Sequence, residues 1–229
     1  MDNVSIIIKK QIRDTFKNKT VLIQFVMFPA MTLIMENAIK MDGMPENFFT
    51  RLFSVMYIGM APLTSAAAII SEEKEKNTLR VLLMANVKPW EYLLGVSVYV
   101  WTLCMAGALI MATGLPASDI PFYLMIMGLG FIISILAGAC VGIRAKNQMV
   151  STSLVMPVMM VLSFAPMLAM FNDKIEKVAR FFYTQQIRVV FNTMSFDGIG
   201  GGGLLIIALN ACLVLGLFFV TFRKNRLNG

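Results

Sequence analysis

An all-α membrane protein with six transmembrane helices and an N-terminal amphipathic helix at the interface is the fold class this chain predicts. Three observations carry that expectation. Hydrophobic residues fill 58% of the 229 positions and charged residues 14%, where an ordinary soluble domain has about 25% charged. The mean hydropathy is +0.74. The apolar residues are also gathered into six runs, each near the roughly 20 residues that cross a bilayer core of about 30 Å.

The elements follow in chain order. Within residues 1–20, "SIIIKKQIRDTFKNK" sets Ile8, Ile12 and Phe16 four apart with Lys9, Arg13 and Lys17 beside them. That spacing predicts an amphipathic helix lying in the interface and leading into the first span. A basic topology signal with no further role is the alternative. Spans are predicted at 21–39, 52–70, 92–115, 121–143, 149–171 and 204–222, all within one transmembrane domain over 1–229. Polar and basic residues precede the first run and five spans follow it, a pattern against a cleaved signal peptide.

Orientation is read from the basic residues. With both termini inside, the cytoplasmic segments hold fourteen of the twenty lysines and arginines: Lys9, Lys10, Arg13, Lys17, Lys19, Lys74, Lys76, Arg80, Lys88, Arg144, Lys146, Arg223, Lys224 and Arg226. Lys40, Arg51, Lys174, Lys177, Arg180 and Arg188 fall outside. The positive-inside rule therefore places both termini in the cytoplasm of a cell-membrane protein. The net charge of +7 reflects this topology and contact with lipid head groups, so no nucleic-acid partner is expected.

Several chemistries are excluded. The chain has no histidine, and Cys104, Cys140 and Cys212 lie far apart in separate spans, so neither a metal site nor a disulfide framework is expected. Gln24, Tyr57 and Asn210 are the main polar groups of the spans, and Glu36 sits at an outer end. An ion-coupled transporter needs buried ionisable groups partway across, which this pattern does not offer. Met156, Met159, Met160, Met167 and Met170 suit flexible packing or a pliable hydrophobic wall. Gly138 and Gly142 form GxxxG, which serves packing within the chain or dimerisation. The run Gly198 to Gly203 matches GxGxxG, but a span follows it in place of a soluble βαβ unit, so a flexible loop is expected. Residues 172–203 form an extracytoplasmic segment, and its apolar and aromatic content predicts short helices lying in or re-entering the outer interface.

The densest charge lies in "SEEKEKNTLRVLLMANVKPWEYLLG", and residues 71–91 form a cytoplasmic segment between the second and third spans. Ser71 to Lys76 can extend the second span as polar helix. Asn77 tolerates the left-handed conformation that a change of direction needs. Thr78 to Ala85 can form a short helix with Leu79, Leu82 and Leu83 on one face and Arg80 on another. Pro89 suits the first position of the next helix. Such a helix requires the bilayer surface or a soluble partner to cover its apolar face.

This segment resembles the one after the second span in ATP-binding-cassette permeases of type 2. Glu73, Glu75, Thr78, Leu79, Leu82, Leu83, Leu93, Leu94 and Gly95 match the family pattern, with Asn77 where glycine is usual and Pro89 displaced. The basic lead-in, Pro29, and "GIRAKNQMVSTSLVMPVMMVLSFAP" with Lys146, Asn147, Pro157 and Pro166 extend the likeness, as does "FFYTQQIRVVF".

The resemblance implies the membrane half of an exporter. No GxxxxGK[ST] occurs, so ATP and magnesium belong to a separate ATPase and this chain binds no cofactor and is not an enzyme. Two ATPase copies and a second permease, identical or a paralogue, complete the assembly among membrane lipids. Glu72, Glu73, Glu75, Lys76, Asn77, Thr78, Leu79, Arg80, Leu82 and Leu83 are expected to form the ATPase-coupling site, with the leucines as anchorage and the charges as rim. Arg144, Lys146 and Asn147 are expected as a second cytoplasmic contact. The apolar spans suit a hydrophobic or amphipathic cargo such as a drug, a lipid-like molecule or an antimicrobial peptide. A non-transporting scaffold or sensor with the same ATPase contact, or an ion-coupled transporter, is the alternative. A prenyl-endopeptidase-type intramembrane protease fails, because Asn77 stands where its motif has arginine and its histidines are missing.

Overall fold

The computed structural model describes residues 2–17, 19–39, 43, 45–196 and 198–225. Lys40 and Arg226, used in the charge balance, lie outside them, and the side chains of Phe16, Lys17 and Lys19 are likewise not described. Among the described residues the chain is helical throughout: α1 (Asp2–Lys17), α2 (Lys19–Ala38), α3 (Phe48–Glu75), α4 (Thr78–Met84), α5 (Pro89–Met111), α6 (Ile120–Arg144), α7 (Gln148–Leu168), α8 (Asp173–Ala179), α9 (Tyr183–Thr193) and α10 (Gly200–Asn225).

Five helices among the described residues are long and apolar enough to cross a membrane: α3, α5 with its closing 3₁₀ turn, α6, α7 and α10. The predicted first span is one helix, the 20-residue α2, of which Leu22–Ala38 is an apolar helix among the residues whose side chains are described. Six helices thus stand where six spans were expected. The segment expected to hold short outer helices contains α8 and α9. The glycine run expected as loop is partly helical, because α10 begins at Gly200 and the first turn of a helix tolerates residues with open space around them, as Gly201 and Gly202 have.

The core is organised around α3, which packs against α2, α5, α6, α7 and α9. Close approach is made possible by missing side chains. A Cβ on Gly138 of α6 would collide with the Leu63 carbonyl, and one on Gly142 would lie 2.9 Å from Ile70 and 3.0 Å from the Ala67 carbonyl. The GxxxG pair is thus consumed by α3 within the chain. One turn before Leu63 on α3, Gly59 meets the backbone of α7, where a Cβ would stand 2.8 Å from the Leu162 carbonyl carbon.

Polar side chains of the spans serve this packing. Gln24 of α2 accepts from Thr64 at 2.9 Å and from Ser65 at 3.3 Å on α3, and Asn210 of α10 donates to the Phe181 carbonyl at 2.9 Å. By contrast, α7 and α10 leave broad apolar faces uncovered, with Met156, Met160, Leu205, Leu213 and Phe219 all more than half exposed. Such faces on apolar helices are those a bilayer covers.

Gly138→Val should cost about 3 kcal/mol or more by forcing α6 off the α3 backbone. Gly216→Val on the open face of α10, where a Cβ meets nothing within 4 Å, should be nearly neutral. Reversible unfolding of both variants in mixed micelles measures the contrast, and equal effects would contradict the packing role of Gly138.

Candidate functional site

The segment between α3 and α5 is built by two asparagines. Glu75 ends α3, and Asn77 turns the chain at φ 56° while its N–H bonds the Lys74 carbonyl at 3.1 Å. The Thr78 hydroxyl donates to the Glu73 carbonyl at 3.2 Å. At the far end of α4, Asn86 takes φ 65°, its N–H bonds the Leu83 carbonyl and the Val87 N–H bonds the Leu82 carbonyl, both at 3.2 Å. That pair of bonds is the Schellman stop, in which a left-handed residue satisfies the last carbonyls of a helix. Pro89 then opens α5, where the Glu91 carboxylate accepts the Lys88 N–H at 2.9 Å. Helix, turn, short helix, turn, helix is therefore the observed order, with Asn86 as a second hinge that the sequence reading left without a role.

The three residues before that first turn each hold a different helix. Glu73, buried at 6% exposure, accepts from Lys10 of α1 at 2.5 Å and from Gln11 of α1. The wholly buried Tyr92 of α5 lies beside the same carboxylate. Lys74 donates to the Ile143 and Ala145 carbonyls, at 2.6 Å each, where α6 ends. Glu75 accepts the Gln148 N–H at 2.8 Å, at the first residue of α7. Behind them Glu72 pairs with Lys76 at 2.5 Å, which holds the Lys76 ammonium above its usual range.

The predicted site residues divide accordingly. Glu73 and Glu75 are tied into the chain's own helices, as is Lys74, which the sequence reading did not include in the site. In α4, Leu79 is 4% exposed and Leu82 and Leu83 are partly buried, all packed on the core. The leucine face expected to anchor a partner is turned inward, because the two left-handed turns roll that side of the short helix onto the bundle. Arg80, Val81 and Met84 point outward instead, Val81 at 62% and Met84 at 74% exposure. Arg144 and Lys146 are exposed next to the α6 and α7 ends that Lys74 and Glu75 hold, while Asn147 caps α7 by accepting the Val150 N–H at 2.9 Å.

Residues of α1 complete the arrangement and were not singled out by sequence. Its protein-facing stripe is Asn3, Ile7 and Gln11: Asn3 donates to Glu91 at 2.9 Å, and Ile7, 1% exposed, fills the space left by Gly95 on α5, where a Cβ would stand 2.8 Å away. The signal was the i, i+4 spacing of those three residues, one face over from the Ile8 and Ile12 stripe. Ile12 is 44% exposed and remains free for the interface.

A search of curated proteins returns no match. The family model described as ABC-2 family transporter protein matches residues 2–223, from α1 through the end of α10. That span takes in the segment between α3 and α5 and every helix that holds it, and the chain belongs to the ABC-2 transporter family, as a polytopic membrane component whose family implies an ABC ATPase partner.

Proposed function

We propose that the chain is the membrane-spanning half of an ATP-driven exporter, powered by a separate ATPase that docks on α4. The observation that carries this reading is a seven-residue helix braced at both ends, with Val81 and Met84 outward beside Arg80. A small apolar pair rimmed by Arg80, Glu72 and Lys76 suits a cleft in a soluble partner, where the apolar centre supplies affinity and the rim sets register. Arg144, Lys146 and Asn147 supply the second cytoplasmic contact. Two ATPase copies and a second permease, identical or paralogous, make the minimal assembly, and ATP with magnesium resides on the ATPases.

Closure of the ATPases would push α4 as a rigid body, and Glu73, Lys74 and Glu75 would pass that displacement to α1, α6 and α7 together. A concerted shift of several helices is what switching between inward-open and outward-open forms requires. In this reading both termini and α4 are cytoplasmic, and the 20-residue α2 is the first of six spans. The cargo is hydrophobic or amphipathic, in keeping with the methionines of α7 and the sparse ionisable groups at span depth.

Val81→Asp with Met84→Asp should abolish copurification of an ATP-binding subunit in mild detergent while leaving membrane insertion and the unfolding midpoint unchanged. Retention of that subunit at wild-type stoichiometry would sink the docking assignment. Leu79→Asp is the internal comparison: it should destabilise the permease itself by about 3 kcal/mol, as a charge placed in packed core does.

Glu73→Gln probes transmission separately. The ATPase should remain bound and hydrolyse ATP, whereas cargo moved per ATP should fall several-fold, on the order of 0.5–2 kcal/mol of lost coupling. Unchanged stoichiometry in reconstituted vesicles would show that Glu73 serves packing alone, and ATP hydrolysis with no cargo movement in the wild type would favour a sensor.

A further inference from the structure

At the end of α3 remote from α4, a cavity of about 280 Å³ opens between the end of α2, the start of α3 and the end of α5. The threonine hydroxyls lining it have already given their hydrogens to the chain's own acceptors, and the Asn37 amide has given one of its two. Thr32 donates to the Phe28 carbonyl at 2.9 Å, Thr113 to the Ile110 carbonyl at 2.8 Å, and Asn37 through Nδ2 to the Leu33 carbonyl at 2.8 Å. Thr50 gives both its N–H, at 2.8 Å, and its hydroxyl, at 3.1 Å, to one oxygen of Glu36. Asn47, left-handed at φ 56° and making no side-chain cap bond, turns its Oδ1 toward Gly114, 3.6 Å from the Cβ position there.

What these groups leave to the cavity is mainly oxygen lone pairs, from three threonine hydroxyls, two amide carbonyls and the second carboxylate oxygen, beside the remaining N–H groups of Asn37 and Asn47. One formal negative charge stands among them, and no lysine or arginine is among the residues described as lining the space. A divalent cation calls for more carboxylate than this, and among the described residues no three acidic, histidine or cysteine side chains converge. With a single carboxylate and acceptors in the majority, the lining suits an occupant that brings one positive charge and N–H donors. The same cavity has an apolar side in Leu33 and Met111, and Leu33 is 38% exposed. A hydrocarbon chain can lie along that face with its polar head in the cavity.

We infer that this cavity binds a primary ammonium group carried on an apolar chain, with Glu36 as its counter-charge and Thr32, Asn37, Asn47 and Thr113 as hydrogen-bond acceptors. The head group of an aminophospholipid and a free long-chain amine share this chemistry.

The test uses the full-length protein in two arms. In the first, nanodiscs of equimolar phosphatidylethanolamine and phosphatidylcholine are stripped with mild detergent and retained lipid is read by native mass spectrometry. In the second, n-octylammonium and n-octyltrimethylammonium are titrated against the detergent-solubilised protein by calorimetry. Charge and chain match within each pair, and only the ammonium N–H groups differ. Preference for the primary ammonium by about ten-fold, as expected for charge-assisted hydrogen bonds, supports the site. Retention of phosphatidylethanolamine identifies a lipid as the source, and octylammonium binding without it identifies a free amine. Glu36→Gln should remove the preference. Because Glu36 also caps α3 through Thr50, Thr113→Val and Asn47→Gly, which delete single acceptors and leave that cap in place, should each reduce it several-fold. Equal binding of primary and quaternary head groups, or a preference untouched in all three variants, overturns the proposal. So does loss of octylammonium binding in sodium chloride but not in choline chloride at equal ionic strength, which assigns the cavity to a bare monovalent cation.

Discussion

A proline inside a helix leaves the carbonyl four residues earlier without its partner, and in a bilayer core no water replaces it. The arrangement of this chain around α3 answers that constraint at two places. Pro29 of α2 frees the Phe25 carbonyl, and the Tyr57 hydroxyl of α3 reaches it at 3.4 Å. Pro62 of α3 itself frees the Ile58 carbonyl, which accepts from Ser134 of α6 at 2.5 Å, with Tyr183 of α9 bonded to the same serine at 2.6 Å. Each of these two carbonyls is met by a hydroxyl across a different helix pair, and α3 belongs to both. Its small residues let the neighbours come close enough for the bonds to form, so packing and backbone satisfaction demand the same geometry.

That geometry makes α3 a stiff rod whose two ends are both occupied by charge. Its 28 residues extend about 42 Å, beyond a bilayer core of about 30 Å. The surplus is roughly two turns, and its α4 end is where Glu73, Lys74 and Glu75 take hold of α1, α6 and α7. Three consecutive helix positions point some 100° apart, so adjacent residues can engage three separate elements. A run of charge that would read as a solvated surface in a soluble protein is here a junction, and the two left-handed asparagines fix the direction in which α4 leaves it.

Legibility in the sequence followed the strength of the period. The long apolar runs were placed within a few residues, because nothing but helix satisfies a backbone in lipid. Asn77 could be read as a turn from its tolerance of positive φ, and the end of the short helix was placed at Ala85, one residue past its observed end, without Asn86 being given the left-handed turn that stops it. The orientation of α4 was not legible, since three leucines on one face are equally suited to a partner's cleft and to the chain's own core. In α1 the largest apolar side chains mark the interface, while the face that packs is small and mixed: Asn3, Ile7 and Gln11. Polar stripes of that kind acquire meaning only when their partners, here Glu73 and Glu91, are brought from more than sixty positions away.

The other end of α3 obeys the same electrostatics in reverse. The N-terminus of a helix carries partial positive charge and four unpaired N–H groups, and Asn47 supplies no side-chain bond to them. Glu36 of α2 does so from outside, through Thr50. Using one carboxylate oxygen for the cap leaves the second to face the cavity, and lodging a threonine at that position removes a donor the cavity would otherwise have had. The polarity of the cavity is in this way a by-product of finishing α3. The helix that closes it at one end is the helix that α4 leaves at the other, so the cavity wall and the coupling segment are built on a single rigid element.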